Sequence, residues 1–103
     1  MSNPSKKKGY LFEAELKKKF RKAGFTCERL AQPNQPDLYL EGFGFIEAKC
    51  RAKEFKSIYD YLDKCHALII KRQSNKDKGR KALVVIDLET FIHLLLISEV
   101  VKD

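Results

Sequence analysis

The sequence predicts a single α/β domain, a central mixed β-sheet flanked by helices in the order αβββαββα. Two observations predict it. The chain's 103 residues suffice for one core and not for two. Helical and strand-like apolar runs alternate along it, and strands joined in one place by a tight turn and in another through a helix call for a mixed sheet with helices packed on it. The 44% hydrophobic content, with Phe 7 and Tyr 4, separates the chain from disordered proteins and implies a packed core.

Residues 1–7 are basic and poor in apolar side chains, which reads as a flexible start; residues 8–103 form the domain. From Lys8 to Ala23, Phe12, Leu16, Phe20 and Ala23 recur at helical spacing between lysines, and Gly24 stands just past the last of them as a stop. Phe25–Leu30 reads as a short strand. Ala31–Pro36, with two prolines and Asn34, reads as a loop. A hairpin follows, Asp37–Glu41 and Phe45–Cys50 about a glycine-containing turn. Phe55, Ile58, Leu62 and Cys65 form a helical stripe within Lys53–His66. Ala67–Lys71 and Ala82–Asp87 are short β-branched runs of the buried-strand kind, separated by a polar, basic loop. The last helix, Leu88–Ile97, is apolar almost all round, which suits deep burial or a contact between two copies of the chain, a homodimer.

The formal net charge of +7 favours an anionic partner such as nucleic acid. The cations are clustered, and Lys8, Arg29, Arg51, Lys53, Lys71, Arg72, Lys76, Lys78 and Arg80 are candidate phosphate contacts. Cys27, Cys50 and Cys65 are odd in number and widely spaced, so neither a disulfide framework nor a zinc site is expected, and they read as reduced residues in or near the core. His66 and His93 have no partner motif and read as structural. Tyr59 and Tyr61 read first as packing residues, with base stacking as the alternative. No apolar stretch long enough for a membrane span occurs, and no secretory signal follows the polar start. No membrane partner is expected, and an intracellular, cytoplasmic location is.

Asp37, Glu47 and Lys49 are poor residues to bury in a small core, yet all three fall on the hairpin. Strand alternation puts Phe45, Glu47 and Lys49 on one face. A three-residue loop, Gly42–Gly44, would pair Glu41 with Phe45 and set Asp37 opposite Lys49 and diagonal to Glu47, within roughly 5 to 8 Å. A two-residue loop would turn Asp37 to the other face. Two carboxylates that close repel, and a hard divalent cation offsets the repulsion better than a lone lysine. Mg²⁺, with Mn²⁺ as a substitute, held by few protein oxygens keeps positions open for water and phosphate, the arrangement of phosphodiester hydrolysis. Lys49 would then hold the attacking water or stabilise transition-state charge. The competing reading is a solvated outer face of an amphipathic hairpin.

Pro36-Asp37, nine intervening residues and Glu47-Ala48-Lys49 resemble the signature of the PD-(D/E)xK nuclease superfamily. Its restriction-endonuclease-like core has the element order read above. "KGYLFEAELKKKFRKAGF", Lys8–Phe25, is similar to the opening of archaeal Holliday junction resolvases and their phage and viral relatives, in which a glutamate follows the glycine by four residues; here it is Glu13. The resemblance implies a metal bound by Asp37, Glu47, the Ala48 backbone carbonyl and Glu13, with Lys49 assisting the nucleophile. It makes Arg29 a phosphate contact. It also implies a Mg-dependent endodeoxyribonuclease acting on DNA, with branched or Holliday junction substrates and DNA recombination as the setting, encoded by a cell, phage or virus. The loop Ala31–Gln35 lacks the serine that junction resolvases carry before Pro-Asp. A non-catalytic nucleic-acid-binding module and a nuclease acting on RNA stay open as alternatives.

Overall fold

The computed structural model describes residues 4–72, 76 and 79–98, with side chains from Gly9 onward. Its elements are α1 (Pro4–Lys22), β1 (Cys27–Arg29), β2 (Leu38–Leu40), β3 (Gly44–Ile46), α2 (Lys56–Leu62), β4 (Leu68–Ile70), β5 (Leu83–Val85) and α3 (Leu88–Ser98). The described residues thus form a small mixed α/β structure with three helices. The expected single mixed sheet is replaced by two antiparallel sheets, β1-β2-β3 and β4-β5. Antiparallel neighbours joined by a loop satisfy each other's backbone directly, whereas a parallel partner needs a longer crossover. The chain forms two compact units, one holding the residues up to Ala52 and those from Ile92 onward, the other Lys53–Phe91.

In the first unit, α1 starts at Pro4, ahead of the apolar periodicity, so residues 4–7 are helical. A proline in the first turn loses no helical hydrogen bond. The helix ends in a Schellman motif. Gly24, at φ 101°, donates to the Arg21 carbonyl at 3.0 Å, and Phe25 donates to the Phe20 carbonyl at 3.0 Å. The accompanying apolar contact is Phe20 against Phe25, edge to face at 6.3 Å. Leu16, Phe20, Phe25 and Cys27 are buried with Leu38 and Leu40 of β2, and Ile92 and Leu95 complete the apolar set. Burial pushes the Cys27 thiol pKa up, which keeps it protonated and inert.

The β1–β2 register pairs Cys27 with Leu40 and Arg29 with Leu38, and the β2–β3 register pairs Leu38 with Ile46 and Leu40 with Gly44. The hairpin loop is therefore Glu41–Phe43, three residues long as expected but placed one residue earlier. Phe43 donates to the Leu40 carbonyl at 3.0 Å, and Gly42 takes the positive φ of 86° that the turn needs. β3 stops at Ile46, so Glu47, Ala48 and Lys49 are not in a strand.

In the second unit, α2 is half the expected length. Phe55 precedes it at φ 73°, with no side-chain cap, and the backbone after Leu62 tightens into turns. Two of the four stripe residues, Phe55 and Cys65, thus lie outside the helix and are exposed. β4 and β5 pair Leu68 with Val85 and Ile70 with Leu83. They are not the buried strands expected, since Ile69, Leu83 and Val84 are exposed. β5 also ends before Asp87, which instead caps α3: its carboxylate accepts the Thr90 N–H at 3.0 Å and the Thr90 hydroxyl at 2.7 Å.

Candidate active site

Extending the β2–β3 register by one pair sets Asp37 directly opposite Glu47, where the displaced loop had been expected to set Lys49. The odd loop keeps the two carboxylates together. Asp37 is half-buried next to the fully buried Leu38, and its Oδ2 accepts the Ala48 N–H at 2.7 Å. That bond fixes the carboxylate and ends β3, because Ala48 donates to a side chain and not to a ladder carbonyl. The structure thus uses Ala48 through its N–H.

The Asp37 carboxylate, hydrogen-bonded to Glu47 and then acting on it as a charge, holds the Glu47 carboxyl above the usual carboxylate range. Partial desolvation and the charge of Glu13 push the same way, while Lys49 opposes them. Asp37, Lys49 and Glu13, drawn from the hairpin and α1, therefore all act electrostatically on Glu47. Glu13 reaches this neighbourhood because it sits at the edge of the apolar face of α1 that carries Leu16 and Phe20; its side chain is 16% exposed. Its Oε1 accepts the Arg29 Nε–H at 3.0 Å. Arg29 in turn lies over the Tyr10 ring at 4.1 Å.

Two hard carboxylates set opposite each other, with Asp37 raising the Glu47 pKa, fit a hard divalent cation, which would offset their repulsion. Asp37 and Glu47 are the residues that would hold it. Among the described residues no group of three Asp, Glu, His or Cys side chains stands in metal-holding geometry, and Glu13 is engaged by Arg29.

No protein-family model matches the chain, and neither a curated protein nor a solved structure matches it.

The other candidate phosphate contacts divide between the units. Arg29 adjoins the carboxylates, and Arg51 is exposed after them. Lys53, Lys71, Arg72, Lys76 and Arg80 belong to the second unit, where Arg72, Arg80 and Lys81 line a groove of about 310 Å³. The Lys8 side chain and Lys78 lie outside the described residues. Cys50 is half-buried and Cys65 is exposed, so only Cys27 is a core cysteine. His66, His93, Tyr59 and Tyr61 are all exposed. No described helix is long and apolar enough to cross a membrane. Sequence reasoning missed Tyr10, whose signal was its helical spacing to the lysines of α1.

Proposed function

We propose that the protein is a metal-dependent endonuclease that hydrolyses DNA phosphodiester bonds, with the element order αβββαββα representing a restriction-endonuclease-like core. The observation that carries this reading is the placement of Asp37 opposite Glu47 by the β2–β3 register, with Glu13 and Lys49 close enough to act on the Glu47 carboxyl, residues that a solvated hairpin face would have no reason to gather. Asp37 and Glu47 hold Mg²⁺ or Mn²⁺. When bound, the cation supplies Lewis-acid stabilisation of charge on the scissile phosphate. Asp37 keeps its orientation through the Ala48 N–H, so its carboxylate needs no reorganisation on binding. Lys49, beside Glu47, orients the attacking water with its ammonium. Glu13 holds Arg29 by its Nε, which turns the guanidinium into a fixed phosphate contact. A branched or Holliday junction substrate, a role in recombination inside the cell and a homodimer are the accompanying proposals.

The test is a cleavage assay on four-way junction, flap, duplex and single-stranded DNA and on matched RNA, with Mg²⁺, Mn²⁺ or EDTA. Metal-dependent DNA cutting that Asp37→Ala abolishes is expected. No cutting of any substrate, or full activity in Asp37→Ala, overturns the proposal. The Arg29–Glu13 pair favours a second reading, because it engages the carboxylate expected to complete the metal set: a binding module that holds nucleic acid without cutting it. Binding without cleavage in the same assay selects it.

A further inference from the structure

α1 carries a second functional face besides the one that bears Glu13. Tyr10, Lys17, Lys18, Arg21 and Lys22 recur at i, i+7, i+8, i+11 and i+12, so they share one side of the helix. With Arg29 of β1 they line a groove of about 590 Å³. The apolar face of the helix is taken up by Leu16 and Phe20, so the groove is not part of the core.

The cations in the groove have different tasks. Arg21 is committed to the fold: its Nε donates to the Cys27 carbonyl at 3.1 Å and its Nη2 to Glu28 at 2.9 Å, which ties α1 to β1. Lys17, Lys18 and Lys22 make no ion pair among the described residues. Three uncompensated ammonium groups along one wall form an anion track. Tyr10 to Lys22 spans about 18 Å of helix axis, room for several phosphates. Tyr10 is 51% exposed at the end of the groove nearest Arg29. An aromatic ring braced by a guanidinium and still half open is a platform for an unstacked base. Through Arg29 the groove abuts Glu13.

We infer that this groove binds a single-stranded nucleic-acid segment, with phosphates along Lys17, Lys18 and Lys22 and a base on the Tyr10–Arg29 stack, and leads that strand to the carboxylates. The delivery rests on the nuclease reading; the binding does not. The occupant is a single strand because a base can reach Tyr10 only when it is free of a duplex stack.

The test is fluorescence anisotropy of a labelled single-stranded DNA oligonucleotide in EDTA, over a salt series, with the full chain. The Lys18→Ala/Lys22→Ala double variant should bind about tenfold more weakly, and the slope of log affinity against log salt should become shallower by about 1.4. Tyr10→Ala should lose about tenfold with the slope unchanged, and Tyr10→Phe should keep wild-type affinity. Lys64→Ala, in the second unit, serves as the control and should bind like the wild type. All the replaced side chains are exposed, and a thermal melt of each variant checks the fold. Wild-type affinity and slope in the lysine double variant, equal affinity in Tyr10→Ala, or tighter binding of duplex than of single strand overturns the inference. Adding Mg²⁺ separates the two readings. A wild type that binds through the groove and does not cut leaves this inference standing and removes the nuclease. A wild type that cuts while the groove variants bind normally does the reverse.

Discussion

Every fully buried side chain among the described residues lies in the unit that carries the carboxylates, and Lys53–Phe91 contains none. The first unit has a helix closed by a Schellman motif, a three-stranded sheet and an apolar set running from Leu16 to Leu95. The second has a two-turn helix, an uncapped start at Phe55 and a strand pair with Ile69 and Val84 open to solvent. On the proposed function, the difference matches what each unit would hold. Opposed carboxylates need a scaffold that will not relax, and Asp37 is adjacent to the fully buried Leu38. On the proposed function, the cations Arg72, Arg80 and Lys81 that line the second unit's groove would need only to reach a phosphate, for which a less buried support suffices.

The largest test of this contrast is functional. Asp37→Ala should lower metal-dependent cleavage by on the order of a thousandfold, since it removes a fixed negative group from the reacting centre. Arg72→Ala/Arg80→Ala should raise KM and flatten the salt dependence while leaving kcat in place. Steady-state kinetics at two salt concentrations read both. A fall in kcat in the arginine double variant would mean that the second unit takes part in the chemistry.

Stability gives the next test. Phe20→Ala empties a fully buried position and should cost about 3–5 kcal/mol. Ile69→Thr, at an exposed strand position, should stay within about 0.5 kcal/mol. Urea unfolding followed by circular dichroism measures both, and similar losses would erase the contrast between the units. Arg29→Ala should be smaller than Phe20→Ala, about 1 kcal/mol, because it leaves the largely buried Glu13 without its partner. Arg29→Lys should recover little of it, since an ammonium has no Nε to present while stacking on Tyr10.

How far the sequence could be read follows the same division. Periodicity located α1 and α3 because Leu16, Phe20, Ile92 and Leu95 are in fact buried on repeating faces. It overestimated α2 because Phe55 and Cys65 continue the stripe past residues whose backbone leaves the helix. Alternation extended β3 to Cys50, blind to the bond by which Asp37 takes the Ala48 N–H out of the ladder. It also gave β5 the residue Asp87, which caps the next helix. The juxtaposition of Asp37 and Glu47 was more legible than the sheet around it. An odd loop keeps Asp37 and Glu47 together whether it starts at Glu41 or Gly42, so a parity argument survived a register error. The ion pair of Glu13 with Arg29 was out of reach, because it depends on how α1 lies against β1.

The smallest effect is also the most diagnostic, because the two units shift one carboxyl each in opposite directions. Folding raises the Glu47 pKa through the Asp37 carboxylate, so the native state keeps a proton that the unfolded chain has released. Stability therefore declines as pH rises from the ordinary carboxylate pKa through the raised one. Folding lowers the Asp87 pKa through the Thr90 hydroxyl and N–H, so its contribution is present above the ordinary carboxylate pKa and is lost as pH falls through the lowered value. Urea midpoints from acid to neutral pH should show Glu47→Gln without the first decline and Asp87→Ala without the second. Saturating Mg²⁺ should then lift the neutral-pH midpoint of the wild type, because a ligand of the native state stabilises it by mass action, and leave that of Glu47→Gln nearly unmoved. Equal Mg²⁺ gains in the wild type and Glu47→Gln would detach the metal from Glu47, and the strained carboxylate pair would then have to be explained by the fold alone.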